Sequence, residues 1–275
     1  MTARVEGKVG IVTGAAHGLG AVLALALARE GASVAAVDVC HDLPPVSYSM
    51  GTEEELNKVV QEIKALGQRA IAIKCNVSKA SEVEGMIKRV LDEFGRIDIL
   101  VNNAGVVTFA PFVDLTEEEW NLIMDVNLKG PFLCCKYALP HMIAQKAGKI
   151  VNIGSVDGRQ AMPSALAHYC SSKAGLHMLT DALSKEMAQH NINVNCVAPG
   201  PIWTPMIECA LRVFAPDSGL KPEEVFKGVV EGMQDFVREV TLEDVANAVL
   251  FLVSEESRNI TGFSIYVDGG NKRAM

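Results

Sequence analysis

Tyr169 and Lys173 stand four residues apart in a stretch that reads as a helix. Residues at i and i+4 share one helix face, so a phenol and an ammonium can enter the same site. A free phenol titrates at about 10 and is a poor base at neutral pH. A neighbouring positive charge favours the phenolate and lowers that value. Such a phenol can take the proton of an alcohol as hydride leaves, and return it to a ketone in the reverse direction. The pair alone is a common coincidence, since a structural tyrosine one turn before a surface lysine has the same spacing. Ser155, closing the run Asn152–Ile153–Gly154–Ser155, adds a hydroxyl able to hold a substrate oxygen beside Tyr169.

A second cluster lies near the N-terminus. An apolar run leads into Thr13–Gly14–Ala15–Ala16–His17–Gly18–Leu19–Gly20, and a helical pattern follows at once. Gly14, Gly18 and Gly20 allow a sharp turn, close approach of a pyrophosphate, and tight packing of helix on sheet. The backbone N–H groups around His17 and Leu19 then face the ligand from a helix N-terminus. Asp38 ends the second apolar run, 18 residues beyond Gly20, where a carboxylate can accept from both adenosine ribose hydroxyls. It would repel a 2′-phosphate, and Ala15, Ala16 and Val39 supply no cation to offset that. The expected cofactor is therefore NAD rather than NADP.

The elements that must position these residues alternate. Strands are expected at Val9–Thr13, Ser33–Val37, Ala70–Lys74, Ile97–Asn102, Lys149–Gly154, Asn193–Ala198 and Phe263–Val267. Their near-continuous apolar content suits strands covered on both faces. Helical patterns fall near 18–30, 53–66, 79–94, 116–146, 164–189 and 241–253. This rhythm implies an α/β fold: a seven-stranded parallel sheet, doubly wound, with helices on both sides. No linker divides the chain, so residues 1–275 are read as one NAD-binding catalytic domain. Two long connections, His41 to Thr52 and Met206 to Val240, break the rhythm and leave the carboxyl end of the sheet, where ligands bind. The second, about 206–240, is the expected substrate loop. Met162, Trp203, Met206 and Phe214 are candidates for pocket lining or for packing.

Composition narrows the classes. The net charge is −8, with no Lys/Arg cluster, which argues against nucleic acid as a partner. No apolar run reaches the roughly 18–20 residues of a membrane span, and no secretory signal is visible at the start. Seven cysteines without C-x-x-C spacing read as reduced, mostly buried thiols of a cytoplasmic protein. The six histidines show no metal-ligand spacing, so no metal is expected.

Taken together, these motifs resemble the short-chain dehydrogenase/reductase family, in family order from residue 9 to 270. Thr13–Gly20 is similar to its T-G-x-x-x-G-x-G turn, and Asn102–Asn103–Ala104–Gly105 to its N-N-A-G. The resemblance implies a Rossmann fold in which Asn103, Ala104 and Gly105 steady the sheet and line the adenosine side. Asn76–Val77 stands where the family usually has Asp-Val against the adenine; an amide can still accept from the adenine amino group. Ser155, Tyr169 and Lys173 take the catalytic places, although the interval from Ser155 to Tyr169 is 14 residues, one more than the family pattern. Asn127 resembles the helix asparagine that bends its helix and anchors a water leading to the lysine. Pro199–Gly200–Pro201–Ile202–Trp203–Thr204 is similar to P-G-x-x-x-T, which holds the nicotinamide carboxamide and exposes its pro-S face. The resemblance further implies a homotetramer, and a small-molecule secondary alcohol or ketone as substrate.

A narrower likeness rests on the insertion from Asp38 through Tyr48 to Glu53, on Leu211 to Asp217, and on the ending Val267–Asp268–Gly269–Gly270. These resemble the carveol-dehydrogenase-like, mycofactocin-coupled subgroup, some of whose members hold NAD without ready exchange. The insertion would then cover the adenosine end. Other readings stay open: an NAD(H) sensor without turnover, a structural protein, or dehydration or epimerisation on the same scaffold. A sensor has no need of the Ser/Tyr/Lys set, and a structural protein has no need of the phosphate turn.

Overall fold

The computed structural model describes residues 3–161, 165–214, 219–233, 235 and 238–270. Its strands are β1 (Val9–Thr13), β2 (Ser33–Asp38), β3 (Ala70–Lys74), β4 (Ile99–Asn102), β5 (Gly148–Ile153), β6 (Ile192–Pro199) and β7 (Ser264–Val267). They form one seven-stranded sheet in the order β3-β2-β1-β4-β5-β6-β7, and every pairing is parallel. The chain moves outward from β1 in one direction and then from β4 in the other, so the crevice at the β1/β4 boundary is a topological switch point.

Val34, Ala35, Ala36 and Val37 are fully buried, as expected of a strand covered on both faces. One cluster packs α1 (Gly18–Arg29), α2 (Glu53–Ala65) and α9 (Leu242–Val253) on one face of the sheet. The other face carries α3 (Ala80–Phe94), α4 (Glu117–Met124), α5 (Gly130–Gln145) and α6 (Ala167–Met187). Two further helices, α7 (Pro205–Phe214) and α8 (Pro222–Met233), follow β6 and share a small apolar cluster around Leu211, Phe226 and Val230.

The strands follow the sequence reading closely, and β4 starts two residues later than expected, at Ile99. The helical stretch expected over 116–146 is not one α-helix. A π-helical turn, Asp125–Lys129, separates α4 from α5. Such a turn inserts an extra residue into the hydrogen-bond ladder and shifts the phase of the faces on either side. Asn127 sits inside it, fully buried. The Met206–Val240 connection is mostly the two helices α7 and α8. Met162 and Ser164 lie outside the described residues, as do Ala215, Pro216 and Asp217, and nothing is described of the Phe214 side chain.

Candidate active site

A cavity of about 560 Å³ opens at the carboxyl ends of β1, β4, β5 and β6. It is lined by Gly14, His17, Gly18, Leu19, Gly20, Asp38, Val39, Asn76 and Val77 at one end. Asn103, Ala104, Gly105, Pro199, Gly200, Ile202 and Thr204 line its middle, with Ser155, Tyr169 and Lys173 beside them. Every expected cofactor and catalytic residue therefore borders one space except Asn127, which is buried behind it.

The glycine turn is held by the strand that faces it across the switch point. The amide nitrogen of Asn103 donates to the carbonyls of Thr13 at 2.9 Å and Gly14 at 3.1 Å. In return the Thr13 hydroxyl accepts from the backbone N–H groups of Asn103 and Ala104, both at 3.0 Å. A Cβ at Gly20 would collide with the Gly14 carbonyl, so α1 can lie this close to β1 only with glycine there. At Gly18, by contrast, a Cβ would meet nothing within 4 Å, so the cradle is open towards the cavity.

The residues present fit a dinucleotide. Helices α2, α4 and α9 begin with complete capping boxes. The N-cap of α1, His17, makes no side-chain cap, and no acidic residue occupies the first turn. Its orphan N–H groups and positive dipole end therefore suit a pyrophosphate. Asp38 is 6 % exposed. Its carboxylate accepts from Ala16 N–H at 3.0 Å and Cys40 N–H at 3.1 Å, which fixes both oxygens beside the glycine turn. Asn76 lines the same end, but its carbonyl oxygen is already engaged by the Ser78 hydroxyl at 2.8 Å and N–H at 3.0 Å.

At the other end Tyr169 and Lys173 rise from α6 on one face. The Tyr169 hydroxyl lies within hydrogen-bonding reach of Ser155, so the extra residue between them is absorbed in the connection from Ser155 to α6. Ser155 is fixed in turn, its hydroxyl accepting from Asp157 N–H at 3.1 Å and lying 3.4 Å from the Asp157 carboxylate. The Lys173 ammonium lies 5.7 Å from the centre of the Tyr169 ring and donates to the Ile153 carbonyl at 2.8 Å. Asn127 ties three segments together. Its amide accepts from Val106 N–H at 2.8 Å, donates to the Val106 carbonyl at 2.9 Å, and reaches the Ser172 hydroxyl at 3.3 Å.

Burial sets the protonation here. It pushes the Tyr169 phenol well above its usual value, with the Asp157 charge adding to the rise and the Ser155 hydrogen bond opposing it. The same burial lowers Lys173 to about 8. The expected easing of Tyr169 towards phenolate is thus absent from the protein alone. Removal of water outweighs an ammonium that does not contact the phenol oxygen.

Several lining residues were not identified from the sequence. Leu43, Tyr48, Met50 and Gly51 come from the connection after β2, which runs along the cavity as a strap. A Cβ at Gly51 would sit 2.5 Å from that of Ala16 and 3.2 Å from Asp38 Oδ1, so the strap lies directly over Asp38. The Ser47 hydroxyl meets the Cys209 thiol of α7 at 3.2 Å, and the Tyr48 hydroxyl accepts from Val107 N–H at 3.2 Å. Phe226, Val229 and Met233 of α8 also border the space, while Trp203 packs edge-on to Phe226 at 5.4 Å and does not line it. The insertion signalled the strap, but its length gave no sign of where Tyr48 would land. Seven cysteines are free thiols, five of them buried, and no helix among the described residues is long and apolar enough to cross a membrane.

A family model described as "Enoyl-(Acyl carrier protein) reductase" matches residues 14–272. The chain is 37% identical over 274 residues to (-)-trans-carveol dehydrogenase of Rhodococcus erythropolis, covering 98% of each. It is 40% identical over 264 residues to the 3-oxoacyl-(acyl-carrier-protein) reductase FabG of Staphylococcus aureus, covering 96% of this chain and 97% of the relative. Among solved structures, a carveol dehydrogenase from Mycobacterium avium in complex with NAD superposes with a TM-score of 0.93 at 34% identity, over 98% of this chain and 99% of that one.

Proposed function

This chain belongs to the short-chain dehydrogenase/reductase family, and on that premise we propose that it is an NAD-dependent dehydrogenase interconverting a secondary alcohol and its ketone. The observation that carries this reading is the meeting of Ser155, Tyr169 and Lys173 in the cavity whose other end presents the fixed Asp38 carboxylate. Asp38 favours NAD, because a 2′-phosphate would meet a buried anion there. Similarity to carveol dehydrogenases supports an alcohol of small, largely hydrocarbon skeleton, and the apolar walls of the cavity agree with it.

Gly14, Gly18 and Gly20 let the α1 N-terminus receive the pyrophosphate, and Thr204 and Ile202 border the nicotinamide end. When bound, the nicotinamide accepts or returns the hydride and, oxidised, brings positive charge to the site. Ser155 holds the substrate oxygen, and Tyr169 Oη takes the carbinol proton or gives it back. Lys173 favours the phenolate, and Asn127 keeps the segment after β4 at its distance from α6. The chain acts as one catalytic unit in a reducing, cytoplasmic setting, which its free thiols suit. A homotetramer would cover Phe132 of α5 and Met178 of α6, which are 46% and 66% exposed.

The test is NADH formation from a panel of secondary alcohols, with NAD or NADP, comparing the parent protein and Tyr169→Phe. Turnover with NAD that the substitution abolishes supports class and base together. Failure to bind either dinucleotide overturns the reading. Sedimentation of the purified protein reports the oligomer.

A further inference from the structure

We infer that Tyr48, carried by the strap into the substrate end of the cavity, is a specificity-determining residue whose hydroxyl donates a hydrogen bond to a second oxygen of the substrate, beyond the one that Tyr169 serves. This rests on the dehydrogenase reading and specifies its substrate class: compact, mostly hydrocarbon ketones or alcohols with a second oxygen acceptor, such as a diketone or hydroxyketone.

The first support is placement. The strap leaves β2 at Asp38 on the ribose side and rejoins the fold at the capping box of Thr52 and Glu55. Between these anchors it crosses the cavity far enough for Ser47 to touch Cys209 on α7. Tyr48 is set by Val107 N–H, immediately after Val106, which Asn127 grips through both its N–H and its carbonyl. One chain of hydrogen bonds thus fixes the Tyr48 oxygen relative to the segment that faces Lys173. Tyr48 and Tyr169 line the same cavity.

The second support is chemical. A phenol oxygen carries one hydrogen and two acceptor positions. The Val107 N–H uses an acceptor position and orients the oxygen, and among the described residues no side chain or carbonyl accepts the Tyr48 hydrogen. Burial holds this phenol well above its ordinary range, so it remains a donor at any working pH. A donor that borders the cavity with no acceptor from the protein is free to meet a ligand oxygen there. Around it the strap and helix side of the cavity is apolar, with Leu43, Met50, Val107, Met206 and Phe226. A second substrate oxygen directed to this side would find Tyr48.

The experiment compares NADH-dependent reduction of cyclohexanone and of a cyclohexanedione by the parent protein and Tyr48→Phe, which keeps the ring and removes only the hydroxyl. The ratio of kcat/KM for the dione to that for the monoketone is expected to fall roughly tenfold in the variant, the worth of one such hydrogen bond. A preserved ratio overturns the inference, whether both rates hold or both fall together, because the hydroxyl would then only anchor the strap. NADH affinity measured on both proteins confirms that the variant is folded. If the parent protein binds NADH but reduces neither of these nor any other ketone offered, the dehydrogenase reading fails and this inference with it.

Discussion

On the sheet side of the cavity each polar group is tied to a strand or to the turn that follows one. Lys173 is bonded to the last residue of β5, Asn103 stitches β4 to the end of β1, and Asp38 closes β2 while holding two backbone N–H groups. The opposite wall is made of the strap, α7 and α8, joined to one another by the Ser47–Cys209 contact and a small apolar cluster, and to the segment after β4 by the Tyr48–Val107 hydrogen bond. The groups proposed to do the chemistry take their fixed geometry from a buried parallel sheet. Those proposed to select a substrate hang from connections, where sequence can change without disturbing the strands.

That contrast can be broken at several points. The largest effect is expected on the sheet side: Tyr169→Phe should lower kcat by about 10²–10⁴-fold while NAD affinity, read by titration, is retained. An equal loss from a strap substitution would erase the distinction. Next comes Lys173. Its pKa falls from 10.5 unfolded to about 8 folded, which at about 1.4 kcal/mol for each pH unit is about 3 kcal/mol. A lysine depressed in this way costs the fold most below pH 8, and the cost is relieved as pH rises towards 10.5. Relative to Lys173→Met, the parent should therefore gain stability between those values, as denaturant melts at pH 7 and pH 10 would reveal. A parallel course for the two proteins would mean that the ammonium is not buried.

Asp38→Ala should weaken NAD roughly ten- to a hundredfold in an equilibrium titration, since hydrogen bonds to a charged group are worth about 1.5–3 kcal/mol. NADP should be weakened less, or gain. A uniform loss for both would show that Asp38 serves only the Ala16 and Cys40 N–H groups. Gly51→Val drives side-chain atoms into Ala16 and Asp38, and should raise the NAD dissociation constant about three- to tenfold by lifting the strap. The smallest expected effect is Ser47→Ala, which removes a weak contact to sulfur and should alter kcat/KM by less than about threefold. A larger change would make that contact a structural joint of the site.

Most of the sheet side was legible in the sequence because each residue there follows a strand of strong apolar pattern. The ends of β1, β2, β5 and β6 fix the places of Gly14, Asp38, Ser155 and Pro199 to within a residue. The π-turn at Asp125–Lys129 was not legible in the apolar pattern, because α4 and α5 each keep a helical pattern and the phase shift of one residue is hidden between them; only the likeness of Asn127 to a helix-bending asparagine pointed there. Tyr48 was missed for a different reason. It meets Val107 across 59 residues of sequence, and no local period or cap encodes such a contact. Trp203, weighed between pocket and packing, went to packing because Phe226 offers it a ring edge.

The strap has a consequence for how this protein can be recombined with its relatives. Exchanging the segment after β6 for that of another member is the obvious way to import a new preference. Here the imported piece would carry only one side of a seam whose other side lies 162 residues earlier, at Ser47. A crossover anywhere between the strap and β6 would therefore join two halves that had never been selected against each other, and the offspring would inherit a cavity wall with a mismatch along its length. Chimeras that move residues 39–52 together with α7 and α8 would keep the pair intact.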